Sequence, residues 1–166
     1  RYYDHWGISM RDFLRAVVVN VAAVRYKQGF SSLSQQLARN LYNRIGFSKT
    51  INQKVKEILT AFQIEKRYTK EEILEMYLNS IYFGHGTYGA QAAAKRYFGK
   101  DAWDLTLDEC ALLVGLLPAP ENYSPIKHSE KALRRRNTVL RLMLEQDKIS
   151  QKRYKLAKSA RLNVID

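Results

Sequence analysis

The amino-acid sequence predicts an all-α, mainly helical fold, and three observations carry that prediction. Apolar residues recur at helical spacing along most of the chain, Thr-x-x-Glu boxes open several of those stripes, and the alternation of a half-buried strand is almost absent. With 166 residues the chain fits one domain and can bury a sizeable core without staples.

Each element follows from its own signal. Met10, Phe13, Leu14, Val17, Val18 and Val21 fall on one face behind Ser9 as N-cap, which predicts a first amphipathic helix. Leu33, Leu37 and Leu41 recur every fourth residue and predict a second. Ile51, Val55, Ile58, Leu59 and Phe62 form another stripe behind Thr50, where Gln53 is placed to complete a capping box. Thr69 with Glu72, and Thr106 with Glu109, open two apolar helices, the later one halted near Pro118. Gly84, Gly86 and Gly89 read as a turn between helices, and Pro118, Pro120 and Pro125 as an extended loop. A helix from about Ser129 to Glu145 and a basic one after Ser150 complete the set, for roughly seven to nine helices in all. Tyr77, Leu78 and Asn79 are expected to buttress helix packing, Asn79 by satisfying buried backbone.

Composition bounds the partners. Lys and Arg total 28 against 16 acidic residues, and the net charge of +12 implies attraction to a polyanion: nucleic acid, anionic lipid headgroups or a phosphorylated substrate. Charge alone does not choose among them. Cys110 is alone in the chain and, beside Ala111, Leu112 and Leu113, reads as a small buried thiol. No run reaches the roughly 18 apolar residues needed to cross a bilayer, and nothing after Arg1 has the pattern of a signal peptide, so the expectation is a fragment of something longer. Tyr26, Phe30, Tyr42, Ile45 and Phe47 lie among Arg25, Lys27 and Arg44, a mixture that suits a membrane interface or simple loop anchors.

Several segments in order carry a resemblance. Tyr2-Tyr3-Asp4-His5-Trp6-Gly7 is similar to the tail of Glu-Asp-x-x-Phe-x-x-His-x-Gly, with the Glu-Asp pair falling just before Arg1. QGFSSLSQQLARN, residues 28–40, resembles Gly-Gly-Ser-Thr-x-x-Gln-Gln-x-x-Lys-Asn, with Phe30, Ser32 and Arg39 in the places of Gly, Thr and Lys. Lys54, Glu57, Ala61 and Glu65 fit Arg-Lys-x-x-Glu-x-x-x-Ala-x-x-x-Glu, with Gln53 where Arg is expected. KEEILEMYLNSIYFG, residues 70–84, matches Lys-x-x-Ile-Leu-Glu-x-Tyr-Leu-Asn, and Arg135-Arg136-Asn137-Thr138-Val139-Leu140 fits Arg-Arg-x-x-Val-Leu. Together these resemble the peptidoglycan glycosyltransferase family, found as monofunctional murein polymerases and as the N-terminal domain of class A penicillin-binding proteins.

That resemblance implies a lysozyme-like large lobe with a small membrane-proximal jaw lobe near residues 24–50, the whole of 1–166 being one glycosyltransferase domain truncated at its N-terminus. It implies polymerisation of lipid II into β-1,4-linked strands with inversion and release of undecaprenyl pyrophosphate, at the extracytoplasmic face of a bacterial cell membrane. The upstream Glu would be the general base, absent from the residues given. Glu57 would be the second active-site carboxylate, organising the pyrophosphate end directly or through a divalent cation such as magnesium or manganese; no organic cofactor is implied. Substrate contacts fall to Gln28, Ser32, Gln36, Arg39, Lys54 and Arg135. The partners implied are lipid II, the growing glycan strand, the membrane surface and moenomycin-type inhibitors, with no nucleic acid. The chemistry stands beside the resemblance, because a lipid-pyrophosphate donor needs cations on its leaving group and a base on the attacking hydroxyl.

Blander readings use the same residues. Glu57 follows Lys54 by one turn, the geometry of a solvated ion pair, and Gln35 reads as part of a polar face. His5, His85 and His128 are too dispersed for a zinc site, and Arg134 to Arg136 could be a solvated charge run. Two other function classes are a basic helical nucleic-acid binder, for which no recognition signature is present, and a lysozyme-like hydrolase. A catalytically incomplete module that binds lipid II or glycan is a further alternative.

Overall fold

The computed structural model describes residues 33–43 and 51–165, with backbone alone at 42–43 and 51–54. The predicted helix over residues 10–21, Thr50 and the side chain of its capping partner Gln53, the side chain of Tyr42, and the apolar and aromatic residues at 26, 30, 45 and 47 lie outside that description. The chain divides into two compact units, whose described parts are residues 33–43 with 51–81, and residues 82–165.

Among the described residues, three helices build the first unit: α1 (Leu33–Asn43), α2 (Ile51–Arg67) and α3 (Lys70–Ser80). Leucines spaced by four drift about 40° per step around a helix, so a Leu33-Leu37-Leu41 line cannot stay on one contact face. Leu37 and its neighbour Ala38 are buried, whereas Leu41 is 43% exposed. In α2 the outcome reverses the usual amphipathic rule. Val55, Ile58, Leu59 and Phe62 are exposed, and the buried line is Glu57, Ala61 and Ile64. Ala61 and Ile64 are buried on this face, and Glu57 is carried inward with them. The apolar stripe therefore looks outward, an arrangement that apolar periodicity alone does not reveal.

Helix α3 opens as predicted. Thr69 Oγ1 accepts from the Glu72 amide at 3.2 Å, and Glu72 Oε2 accepts from the Thr69 amide at 2.8 Å. Ile73, Tyr77 and Leu78 are its buried side chains, while Asn79 is exposed and cannot satisfy buried backbone.

The second unit begins where the sequence suggested only a turn. Tyr82–Gly84 (β1) and Thr87–Tyr88 (β2) pair antiparallel, with Tyr82 opposite Tyr88. The reversal needs consecutive left-handed residues, with φ of 94° at Gly84, 51° at His85 and 71° at Gly86. Strands this short carry no alternation to read. Glu121 clamps the hairpin by accepting from the Tyr82 hydroxyl at 2.5 Å and the His85 amide at 3.0 Å, and Tyr97 donates to the Phe83 carbonyl at 2.7 Å. Burial pushes the Tyr97 hydroxyl up to about 12.

Helix α4 (Ala90–Phe98) stops at Gly99 in the left-handed conformation, and a 3-10 turn over Ala102–Asp104 leads to α5 (Leu107–Leu116). Helix α5 is the core of the unit: Glu109 through Leu116 are all buried, Cys110 among them. A helix apolar all round is stable only when covered all round. Its predicted Thr106–Glu109 capping box is present, and Lys100 Nζ reaches the buried Glu109 carboxylate at 2.7 Å. Helix α6 (Ser129–Glu145) lies against α5, where Gly115 leaves room for the Arg135 backbone, and α7 (Gln151–Ser159) follows. No described helix is long and apolar enough to cross a membrane.

Candidate active site

The first unit brings together Glu57, Arg39 and Gln36. Helix α2 turns Glu57 inward until the residue is 4% exposed, a position no carboxylate holds without compensation. Helix α1 supplies it. Arg39 Nε lies 3.3 Å from both Glu57 oxygens and Nη2 3.3 Å from Oε2. A tight charge-assisted pair would close to about 2.8 Å, so this contact positions the guanidinium without clenching it. Arg39 keeps 42% of its side chain exposed. The pair therefore presents a cation at the surface, oriented by a buried anion behind it.

Gln36 stands one turn before Arg39 on α1, on the same face, and is half-buried. Its Oε1 accepts from the Tyr77 hydroxyl at 3.2 Å. Lys54 lies one turn before Glu57 in α2, its side chain outside the described residues, as are Gln28 and Ser32.

Glu65, the last acid of the same motif, does a different job. It accepts from the buried Ser34 hydroxyl at the start of α1 and pairs with Lys70 at the start of α3. Lys70, and then the Ser34 hydroxyl, hold the Glu65 carboxyl below its ordinary range. This bracket fixes the three helices against one another, and with them the register of Arg39 over Glu57. Sequence reasoning missed Ser34 and Tyr77 as contributors. A Ser inside an apolar helix start was the only trace of the first, and the second is a contact between residues far apart in the chain.

Arg135 belongs to the second unit, where its Nε donates to the Gly115 carbonyl at 3.3 Å and its guanidinium lies 5.2 Å from the Tyr123 ring centre. Arg136 is buried and donates to the Lys158 and Ala160 carbonyls at 2.8 Å each. Arg134 is exposed and pairs with Glu130. The three arginines thus occupy three different environments. Among the described residues no group of three or more His, Cys, Asp or Glu side chains could hold a metal ion.

The motifs that place Glu57 and Arg39 on these helices are those of a family, and comparison with known proteins shows it. The family model described as Transglycosylase matches residues 1–144, and the chain belongs to that family. Among relatives, penicillin-binding protein 1A of Aquifex aeolicus (strain VF5) is 46% identical over 98% of this chain and 22% of its own length. Penicillin-binding protein 1F of Bacillus subtilis (strain 168) is 44% identical over 92% of this chain and 21% of its own. Penicillin-binding protein 1A of Escherichia coli (strain K12) is 40% identical over 98% and 19%. The crystal structure of penicillin-binding protein 1A from Haemophilus influenzae is similar with a TM-score of 0.62 and 26% identity, covering 95% of this chain and 17% of that one. The mainly helical, lysozyme-like fold expected from the motifs is the fold of this chain, which spans about a fifth of the length of these relatives.

Proposed function

We propose that this chain is the polymerising domain of a peptidoglycan glycosyltransferase, joining lipid II units into β-1,4-linked strands with inversion at the extracytoplasmic face of a bacterial membrane. The observation that carries the reading is the buried Glu57 carboxylate holding a half-exposed Arg39 guanidinium. In the reaction, the acceptor's 4-hydroxyl oxygen bonds to the donor's anomeric carbon as the bond to pyrophosphate breaks with its electron pair. Charge develops on the leaving oxygen. Arg39 is placed to meet it, and Glu57 fixes the direction from which it does so, a preorganised electrostatic contribution of the kind that commonly dominates such steps. The hydroxyl proton passes to a general base. The motif register assigns Gln28, Ser32, Lys54 and Arg135 to substrate contacts.

A membrane-surface location is supported by α2. Val55, Ile58, Leu59 and Phe62 are exposed together, Lys66 Nζ lies 4.8 Å from the Phe62 ring centre, and Lys56 and Arg67 flank the stripe. An outward apolar face edged with cations suits the headgroup region of an anionic bilayer, where a lipid-linked substrate resides. Moenomycin-type inhibitors are expected to compete for the Arg39 face. The test is product analysis with the full-length protein: lengthening of lipid II into strands supports the reading, whereas shortening of preformed glycan without strand formation assigns a hydrolase instead.

A further inference from the structure

Tyr77 is a core residue with a polar tip. It sits in α3 at 2% exposure, and a phenol hydroxyl buried to that degree is costly unless it finds a partner. The partner is Gln36 Oε1, across the packing of α1 against α3. Burial raises the ionisation of the hydroxyl far above its ordinary value, which keeps it a neutral donor. A carboxamide is planar, with oxygen and nitrogen on opposite arms, so engaging the oxygen decides where the nitrogen points. Among the described residues that nitrogen has no hydrogen-bond partner. Gln36 itself is half-buried and stands one turn from Arg39 on α1.

We propose that Tyr77 is a positioning residue that locks the Gln36 carboxamide so that its N–H donors, beside Arg39, face the pyrophosphate oxygens of the lipid-linked donor. The inference rests on the assignment of that donor in the proposed function. Without the hydroxyl, the amide can turn over and present its oxygen to an anion, which repels where the nitrogen attracted. A ring that only filled space would not need its hydroxyl.

The test is steady-state kinetics on lipid II, with melting temperatures alongside, for the full-length protein, Tyr77→Phe, Gln36→Ala and the double variant. Tyr77→Phe is expected to raise KM about 3–10-fold with kcat within about twofold, the size of one hydrogen bond's contribution. In the Gln36→Ala background the same change is expected to add nothing, since no amide remains to orient. Equal losses in both backgrounds, or a fall in kcat that tracks a fall in melting temperature, would mean that the hydroxyl serves packing only and would overturn the inference. Gln36→Glu keeps the acceptor for Tyr77 but replaces the donors with negative charge, and it decides the matter should Tyr77→Phe fold poorly. It should raise KM more than about tenfold, and a parental KM would overturn the inference. A parent protein inactive on lipid II sinks the functional reading and this inference with it; an active parent with additive losses sinks the inference alone.

Discussion

Replacing Arg136 with Met removes a charge from the interior while keeping most of the aliphatic stem, and the structure sets the size of the loss. The guanidinium donates to the Ala160 and Lys158 carbonyls at 2.8 Å each and to Asn137 Oδ1 at 3.1 and 3.2 Å. Both carbonyls belong to the end of α7, where helix acceptors have no partner of their own and a cation is favoured. Hydrogen bonds from a charged donor contribute about 1.5–3 kcal/mol each, and the relief of desolvating the guanidinium, which also lowers its ionisation, returns part of that. The balance is a loss of about 3 kcal/mol, or roughly 5–12 °C in melting temperature for a protein of this size. Arg136→Lys, which keeps the charge but loses the fork, should lose about half as much. Urea unfolding of the protein and its variants measures both. An Arg136→Met variant within about 0.5 kcal/mol of the parent would refute the argument that this guanidinium holds α7 to α6. Arg135→Met, by contrast, removes a longer bond from a half-exposed side chain and should cost only about 1 kcal/mol.

Other perturbations test other parts of the frame. Because its folded pKa is lowered, the ionised Glu65 contributes stability above the ordinary carboxylate range, and that contribution fades as the pH falls through the lowered value. Glu65→Gln should therefore melt below the parent near pH 6 and converge with it as the pH falls through the lowered value, and a gap that does not change with pH would contradict the Lys70 and Ser34 assignments. Gly115→Ala should destabilise by about 1–3 kcal/mol in thermal unfolding, because the added Cβ would meet Arg135 backbone and Cβ at 3.2 Å. Thr106→Ala should cost about 1 kcal/mol by the same measurement, through loss of the α5 capping box.

Local signals were legible in the sequence and tertiary ones were not. The capping boxes at Thr69 and Thr106 are written within four residues, and both formed as read. Helix α6 matches its expected span because its apolar spacing and the preceding prolines agree. The buried face of α2 was not legible, since which side of a helix turns inward depends on what packs there, and here Glu57, Ala61 and Ile64 turn inward in place of the apolar stripe. The hairpin at Tyr82 to Tyr88 rests on left-handed backbone at His85 as well as at glycines, a choice its pattern does not announce. In the site, motif order identified Glu57 and Arg39 and their pairing emerged from the fold, whereas three successive arginines gave no hint that one is core, one half-exposed and one solvated.

The central claim is that Glu57 holds Arg39 for the leaving group, and lipid II polymerisation by the full-length protein carrying Glu57→Gln measures it most directly. Glutamine preserves the shape and loses the charge, so the account predicts a fall of about a hundredfold or more in kcat/KM with a melting temperature within a few degrees of the parent, and a comparable fall for Arg39→Met. Strand formation within about threefold of the parent in either variant would contradict it.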